Sequence, residues 1–141
     1  MATAQFGFDA VLNYMIGGVG GGGTWTELKN MQDNKLDLTS DEADVTVRGS
    51  GGWKATAAAI KDASVSFDMI WDPTNAGFTA IKDAYFNNTV IGLQILDKAA
   101  GEGLEADFVI TNFSRNEPVN DVLKVSVTAK VSFVNTPPVW I

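Results

Sequence analysis

The chain has 141 residues, 45% of them hydrophobic, which is one domain's worth and enough for a sizeable core. It contains neither cysteine nor histidine, which excludes disulfides, thiolate catalysis, Cys-ligated metals and every Ser-His-Asp arrangement. With 10 Lys plus Arg against 17 Asp plus Glu the net charge is −7, the wrong sign for gripping nucleic-acid phosphates.

No stretch approaches the roughly 18 continuous apolar residues of a membrane span, and the start, MATAQFGFDAVLNYM, lacks a positive leader region. The expectation is a soluble protein made in a cytoplasm, with no membrane partner. Residues Gln5 to Leu12 alternate weakly, Phe6 and Phe8 against Gly7 and Asp9, as an extended arm or edge strand does. The run Gly17 to Gly23 then contains the letters GxGxxG at Gly18, Gly20 and Gly23. A dinucleotide loop opens a helix, whereas Thr24-Trp25-Thr26 favours a strand, and the phosphate loop fails for want of a Lys after the last Gly. A flexible turn or hinge is the better account.

Two short strands are expected at Trp25 to Met31 and Lys35 to Leu38, with a turn at Asp33-Asn34 between them. Asp37, Asp41, Glu42 and Asp44 lack the order of an EF-hand and read as a solvated acidic loop. Val45 to Val47 makes a brief strand, Gly49 to Gly52 a turn, and Trp53 to Ala63 has no clean period. Thr39 to Ala63 is thus a long excursion, of the kind that closes over something or contacts a partner.

In Ser64 to Trp71 the large residues Val65, Phe67, Met69 and Trp71 alternate with smaller ones, the pattern of a strand with one buried face. At Asp72-Pro73-Thr74-Asn75 the period changes, and Phe78, Ile81 and Tyr85 form one stripe of a short helix. Asp72 or Asn75 serves as its cap and Asn87-Asn88 as its stop. Ile91, Leu93 and Ile95 mark a strand that pairs as a hairpin with Leu104 to Phe113. After a turn at Asn116 to Asp121, Val125, Val127, Ala129, Val131 and Phe133 alternate with polar residues in the clearest strand of all. A terminal Trp140-Ile141 pair packs on its own domain or on a neighbour, since exposing it would waste apolar surface. The architecture predicted is mainly β: two packed antiparallel sheets, a sandwich or partly open barrel, flanked by one short α-helix.

Candidates for chemistry are few. Glu105 and Asp107, at i and i+2 on one strand, and Asp68 on another read as solvated strand faces rather than an acid and base pair. Lysines and aromatics do not interleave as they do in single-strand nucleic-acid binders. Without a base, a nucleophile or a cofactor loop, no enzyme is expected and no metal or cofactor is called for.

Taken in order, Trp25-x-x-Leu28 with NMQDNKLDL, then DEADVTVRGSGGW (Asp41 to Trp53), VSFDMIWDP, the helix FTAIKDAYF and GLEADFVITNFSRNEPVNDVLKVSVTAKVSF resemble bacteriophage major tail tube proteins, most of all those of long non-contractile tails. The resemblance runs from about Trp25 to Phe133 and rests on order and spacing, with no single diagnostic motif. It implies one tail-tube domain over 1–141, with an N-terminal arm at about 1–24, an inter-subunit loop at about 39–63 and a C-terminal tail at 135–141. It further implies hexameric rings stacked into a hollow tube, joined by Asp41, Glu42, Asp44, Arg48 and Trp53 of the loop and Trp140 of the tail. The implied partners are copies of the chain, a tape measure, a tail tip, a terminator, and double-stranded DNA crossing an acidic lumen without specific binding. The implied location is the virion tail, and the host cytoplasm before assembly. The Gly17 to Gly23 run is longer than this pattern carries, and the short tail leaves no added surface domain. Two alternatives stay open: the tube of a contractile tail or secretion system, and a small ligand-binding sandwich with Trp25, Trp53 or Trp71 as platforms.

Overall fold

A computed structural model describes residues 9–21, 23–117, 119–132 and 137–141. Eight strands, one α-helix and a single 3-10 turn at Arg48–Ser50 occur among them: β1 (Val11–Ile16), β2 (Thr26–Glu27), β3 (Met31–Asp44), β4 (Thr56–Ile70), α1 (Ala76–Phe86), β5 (Ile91–Leu96), β6 (Gly103–Asn116), β7 (Lys124–Val131) and β8 (Val139–Trp140). Every ladder is antiparallel, and together they form one sheet in the order β2-β1-β5-β6-β7-β4-β3, with β8 added alongside β6. The sheet curls into a half-barrel. The mainly β fold with one short helix is therefore as predicted, but in place of two packed sheets there is one continuous curled sheet, because every strand finds its ladder partner in the same sheet.

The alternation of side chains decides which face is dry. Across the register, Tyr14, Leu93 and Ala106 lie in one row, and Val65, Ala129 and Ile110 in another, all buried. Phe78 and Ile81 of α1 insert into this face, and Trp71 meets the Phe78 ring edge-on with centroids 4.8 Å apart. The helix begins where the sequence places it: the Asn75 side chain accepts the Phe78 N–H at 3.1 Å, while Asp72 accepts from the Thr74 hydroxyl and N–H in the preceding turn. It ends at Asn87, and Asn88 takes a positive φ of 54°. With 11 residues it is too short to persist alone in water, so its apolar stripe and the sheet hold each other. That stripe is Phe78, Ile81 and small residues at 77, 80 and 84; Tyr85, expected within it, stands at the rim, stacked near Phe113.

Three expected boundaries change. The turn at Asp33-Asn34 is a bulge inside one long β3, because the ladder with β4 resumes at Asn34 and Phe67 after an irregularity at Met31. Val45 to Val47 is not a strand. The excursion over 39–63 is mostly regular strand: β3 and β4 stay paired out to Asp44 and Thr56. The arm through Gln5, Phe6 and Phe8, the residues Gly22, Pro118 and Phe133, and the tail's Asn135-Thr136 lie outside the described residues.

Candidate assembly surfaces

β4 is backed by β7 only from Ser64 to Ile70; from Thr56 to Asp62 its described partner is β3 alone. At about 3.3 Å per residue the two strands therefore extend some 20 Å beyond the sheet as a bare two-stranded ribbon. Such a ribbon is marginal by itself in water. It also exposes apolar side chains: Ile60 is 75% accessible and Trp53 81%, with Leu38, Val45 and Val47 exposed as well. An arm that is weak alone and apolar outside is built to be covered.

The end of the arm is closed by polar contacts. The Ser50 hydroxyl accepts the Val47 N–H at 3.2 Å, and the Ser50 N–H donates to the Val47 carbonyl at 2.9 Å. Asp44 accepts the Thr46 N–H at 2.9 Å, and the Thr46 side chain and backbone together hold its carboxyl below the usual carboxylate range. Of the residues implied as contacts, Asp41, Glu42, Asp44, Arg48 and Trp53 are thus brought together on the outer half of one arm. Trp140 is elsewhere. It lies in β8, where Val139 and Trp140 pair with Glu105 and Leu104, and its indole N–H donates to Glu102. There it borders a groove of about 460 Å³ at the root of the arm, with Leu38, Ala63, Leu104 and Val131 as its apolar floor. The terminal pair is seated there but not buried, Trp140 being 57% and Ile141 43% accessible, so the packing expected of it on its own domain is only partial. Leu38, read from the sequence as facing inward beside Leu36, is instead exposed, because no core lies under this part of β3. Val45, Val47 and Ile60 were passed over as contacts in the sequence; large apolar residues standing singly in an Ala, Thr and Asp-rich stretch were the available signal.

The opposite face of the sheet is polar. Asn13, Gln94 and Glu105 lie in register on β1, β5 and β6, and their side chains link in a row, Asn13 donating to Gln94 at 3.1 Å and Gln94 to Glu105 at 2.7 Å. Asp68 accepts from Ser126 at 2.8 Å and is partly exposed. Asp107 departs from the solvated face expected of it: it is 2% exposed, and its carboxylate accepts the Val19 N–H at 2.5 Å. The turn that delivers this N–H belongs to the glycine run. A carboxylate at the mouth of that turn repels phosphate, so the glycines do not form a nucleotide site. Among the described residues no group of three acidic side chains is placed to hold a metal ion. No described helix is long and apolar enough to cross a membrane.

Both ends of the strand order, β2 and β3, are open edges among the described residues. One curled sheet with two edges free among the described residues, a helix across its dry face and a projecting two-stranded arm make up the fold. It is similar to a chain from the tail of an empty gene transfer agent particle solved with C6 symmetry, at a TM-score of 0.75 and 18% identity, covering 93% of this chain and 96% of that one. It is similar also to the SPP1 tail tube, at a TM-score of 0.72 and 15% identity over 91% of this chain and 76% of that one. A chain of the anti-feeding prophage (AFP) baseplate matches at 0.67 and 8% identity, over 100% of this chain and 97% of that one. No curated protein sequence matches. Residues 4–134 fit the phage tail tube protein family, and the chain belongs to that family. Its role is structural rather than enzymatic, as a component of the virion tail.

Proposed function

We propose that the chain assembles with copies of itself into hexameric rings that stack into a long non-contractile tail tube, whose acidic lumen conducts double-stranded DNA. The observation that carries this reading is the pairing of two open sheet edges with an apolar arm inside a chain of the tail tube family. An open edge is completed by another strand, and the arm buries Trp53, Val47 and Ile60 only by reaching a second copy. The C6 symmetry of the similar gene transfer agent tail supports six subunits per ring. The net charge of −7 suits a lumen that lets phosphates slide, since affinity for DNA comes mainly from Lys and Arg. Tape measure, tail tip and terminator proteins complete the tail, and the subunit waits in the host cytoplasm before assembly. Light scattering of the purified chain over a concentration series tests this: a cooperative rise is expected, and a monomer at every concentration and ionic strength refutes it.

The second reading is the tube of a contractile tail or secretion system. A sheath protein co-purifying with the tube selects it. A glycan-binding sandwich has little support, because Trp53 and Trp71 lie beyond opposite ends of β4, about 45 Å apart at strand rise. Tryptophan fluorescence that shifts with a glycan panel would restore it.

A further inference from the structure

The glycine run is the feature that the assembly surfaces do not account for, and Asp107 is the only charged side chain buried among the described residues. They meet. β1 leaves the sheet at Ile16, and the chain turns back through Gly17, Gly18 and Gly20, all at positive φ, before β2. A Cβ at Gly18 would sit 2.8 Å from the Asp107 carboxylate. Beneath the turn, β5 offers Gly92, directly opposite Asp107 in the ladder; a Cβ there would come within 3.0 Å of the Val19 nitrogen and 3.2 Å of both the Gly18 carbonyl carbon and the Trp25 ring. The turn is thus lowered onto the sheet at a place where the floor lacks a side chain, and its backbone donates to a buried carboxylate.

A buried charge is costly unless it is hydrogen-bonded, and a glycine-rich turn is among the most expensive segments to order. Each offsets the other's cost. The Val19 N–H of the run meets an anion, and the anion comes from the same chain. The turn also fixes where the chain re-enters as β2, whose two residues pair with Asn13 and Tyr14 and form one open edge of the sheet. We infer that Asp107 is a positioning residue for assembly: its carboxylate is the internal anion around which the glycine turn folds, and through that turn it holds β2 as a preformed edge for a second copy of this chain. The edge part rests on the proposed self-assembly; the turn part does not.

The test uses the full chain as Asp107→Ala, Asp107→Asn and Gly92→Ala, with amide hydrogen exchange and assembly as separate readouts. Asp107→Ala removes the acceptor, so exchange at Val19 and at Thr26 and Leu28 speeds up by about tenfold or more while Val125 to Ala129 stay protected. Asp107→Asn keeps an acceptor oxygen and restores most of that protection. Gly92→Ala lifts the turn from below without touching the carboxylate, reproduces the fast exchange, and decides the matter should Asp107→Ala not fold. Both loosened variants need about tenfold more protein to assemble. Unchanged exchange at Val19 in Asp107→Ala and Gly92→Ala overturns the inference. Fast exchange with unchanged assembly overturns its edge part. A wild-type chain that never assembles refutes the proposed function while the exchange data still decide the turn.

Discussion

Replacing Ile81 by Asp tests whether α1 is the lid that completes the core. Ile81 is fully buried in the cluster formed by α1 and the dry face of the sheet. Removing its side chain to Ala costs about 2–5 kcal/mol, and to Val about 0.5–1.5 kcal/mol. Aspartate adds a carboxylate in an apolar site without a partner, a further penalty of several kcal/mol. A domain of this size is stable by about 5–15 kcal/mol, so the sum consumes most or all of its stability. Urea unfolding followed by circular dichroism and tryptophan fluorescence measures this directly, with Trp71 against Phe78 reporting undocking of the helix. Ile81→Val shifts the midpoint slightly, Ile81→Ala strongly, and Ile81→Asp leaves no folded baseline. An Ile81→Asp chain that melts within about 0.5 kcal/mol of wild type would show that the helix is not part of the cooperative core.

Other expectations concern the cap, the tail and the arm. Asn75→Ala removes the acceptor of the Phe78 N–H and costs about 1 kcal/mol in the same urea assay. Trp140→Ala loses an exposed hydrogen bond to Glu102 and costs the free subunit about 1 kcal/mol or less, while raising the concentration needed for assembly. The Asp44 carboxyl is held below its usual range by Thr46, so this contact orders the arm's end above the ordinary carboxylate range and is lost as pH falls through the lowered value. The Thr46 amide resonance should follow that loss on acidification; a resonance that stays fixed down the acid limb contradicts the contact.

Where one face of an element is buried and the other wet, the sequence showed it. Val125 to Val131 alternate because one side meets the core, and α1 was legible in the change of period after Pro73. The outer arm was not legible for the same reason: Ala57 to Asp62 is in contact with water on nearly every side, so no alternation is imposed and regular strand resembles loop. Asp107 was hidden differently. At two residues from Glu105 it carries the same pattern signal, and only the turn contributed 88 positions away distinguishes a buried carboxylate from a solvated one. The residues proposed as contacts were half legible: Asp41 to Trp53 lie on one arm, as their order along the chain implies. The apolar members that give the arm its reason to be covered were not.

In the proposed assembly the arm joins subunits without helping any one of them to fold. Negative-stain electron microscopy of wild type beside the double variant Trp53→Ala, Ile60→Asp addresses it most directly. Both positions are exposed in the subunit, so the variant melts within about 0.5 kcal/mol of wild type. Wild type should form rings or tubes with sixfold projections, and the variant should remain as dispersed, folded subunits. Full-length tubes from the double variant would contradict the account.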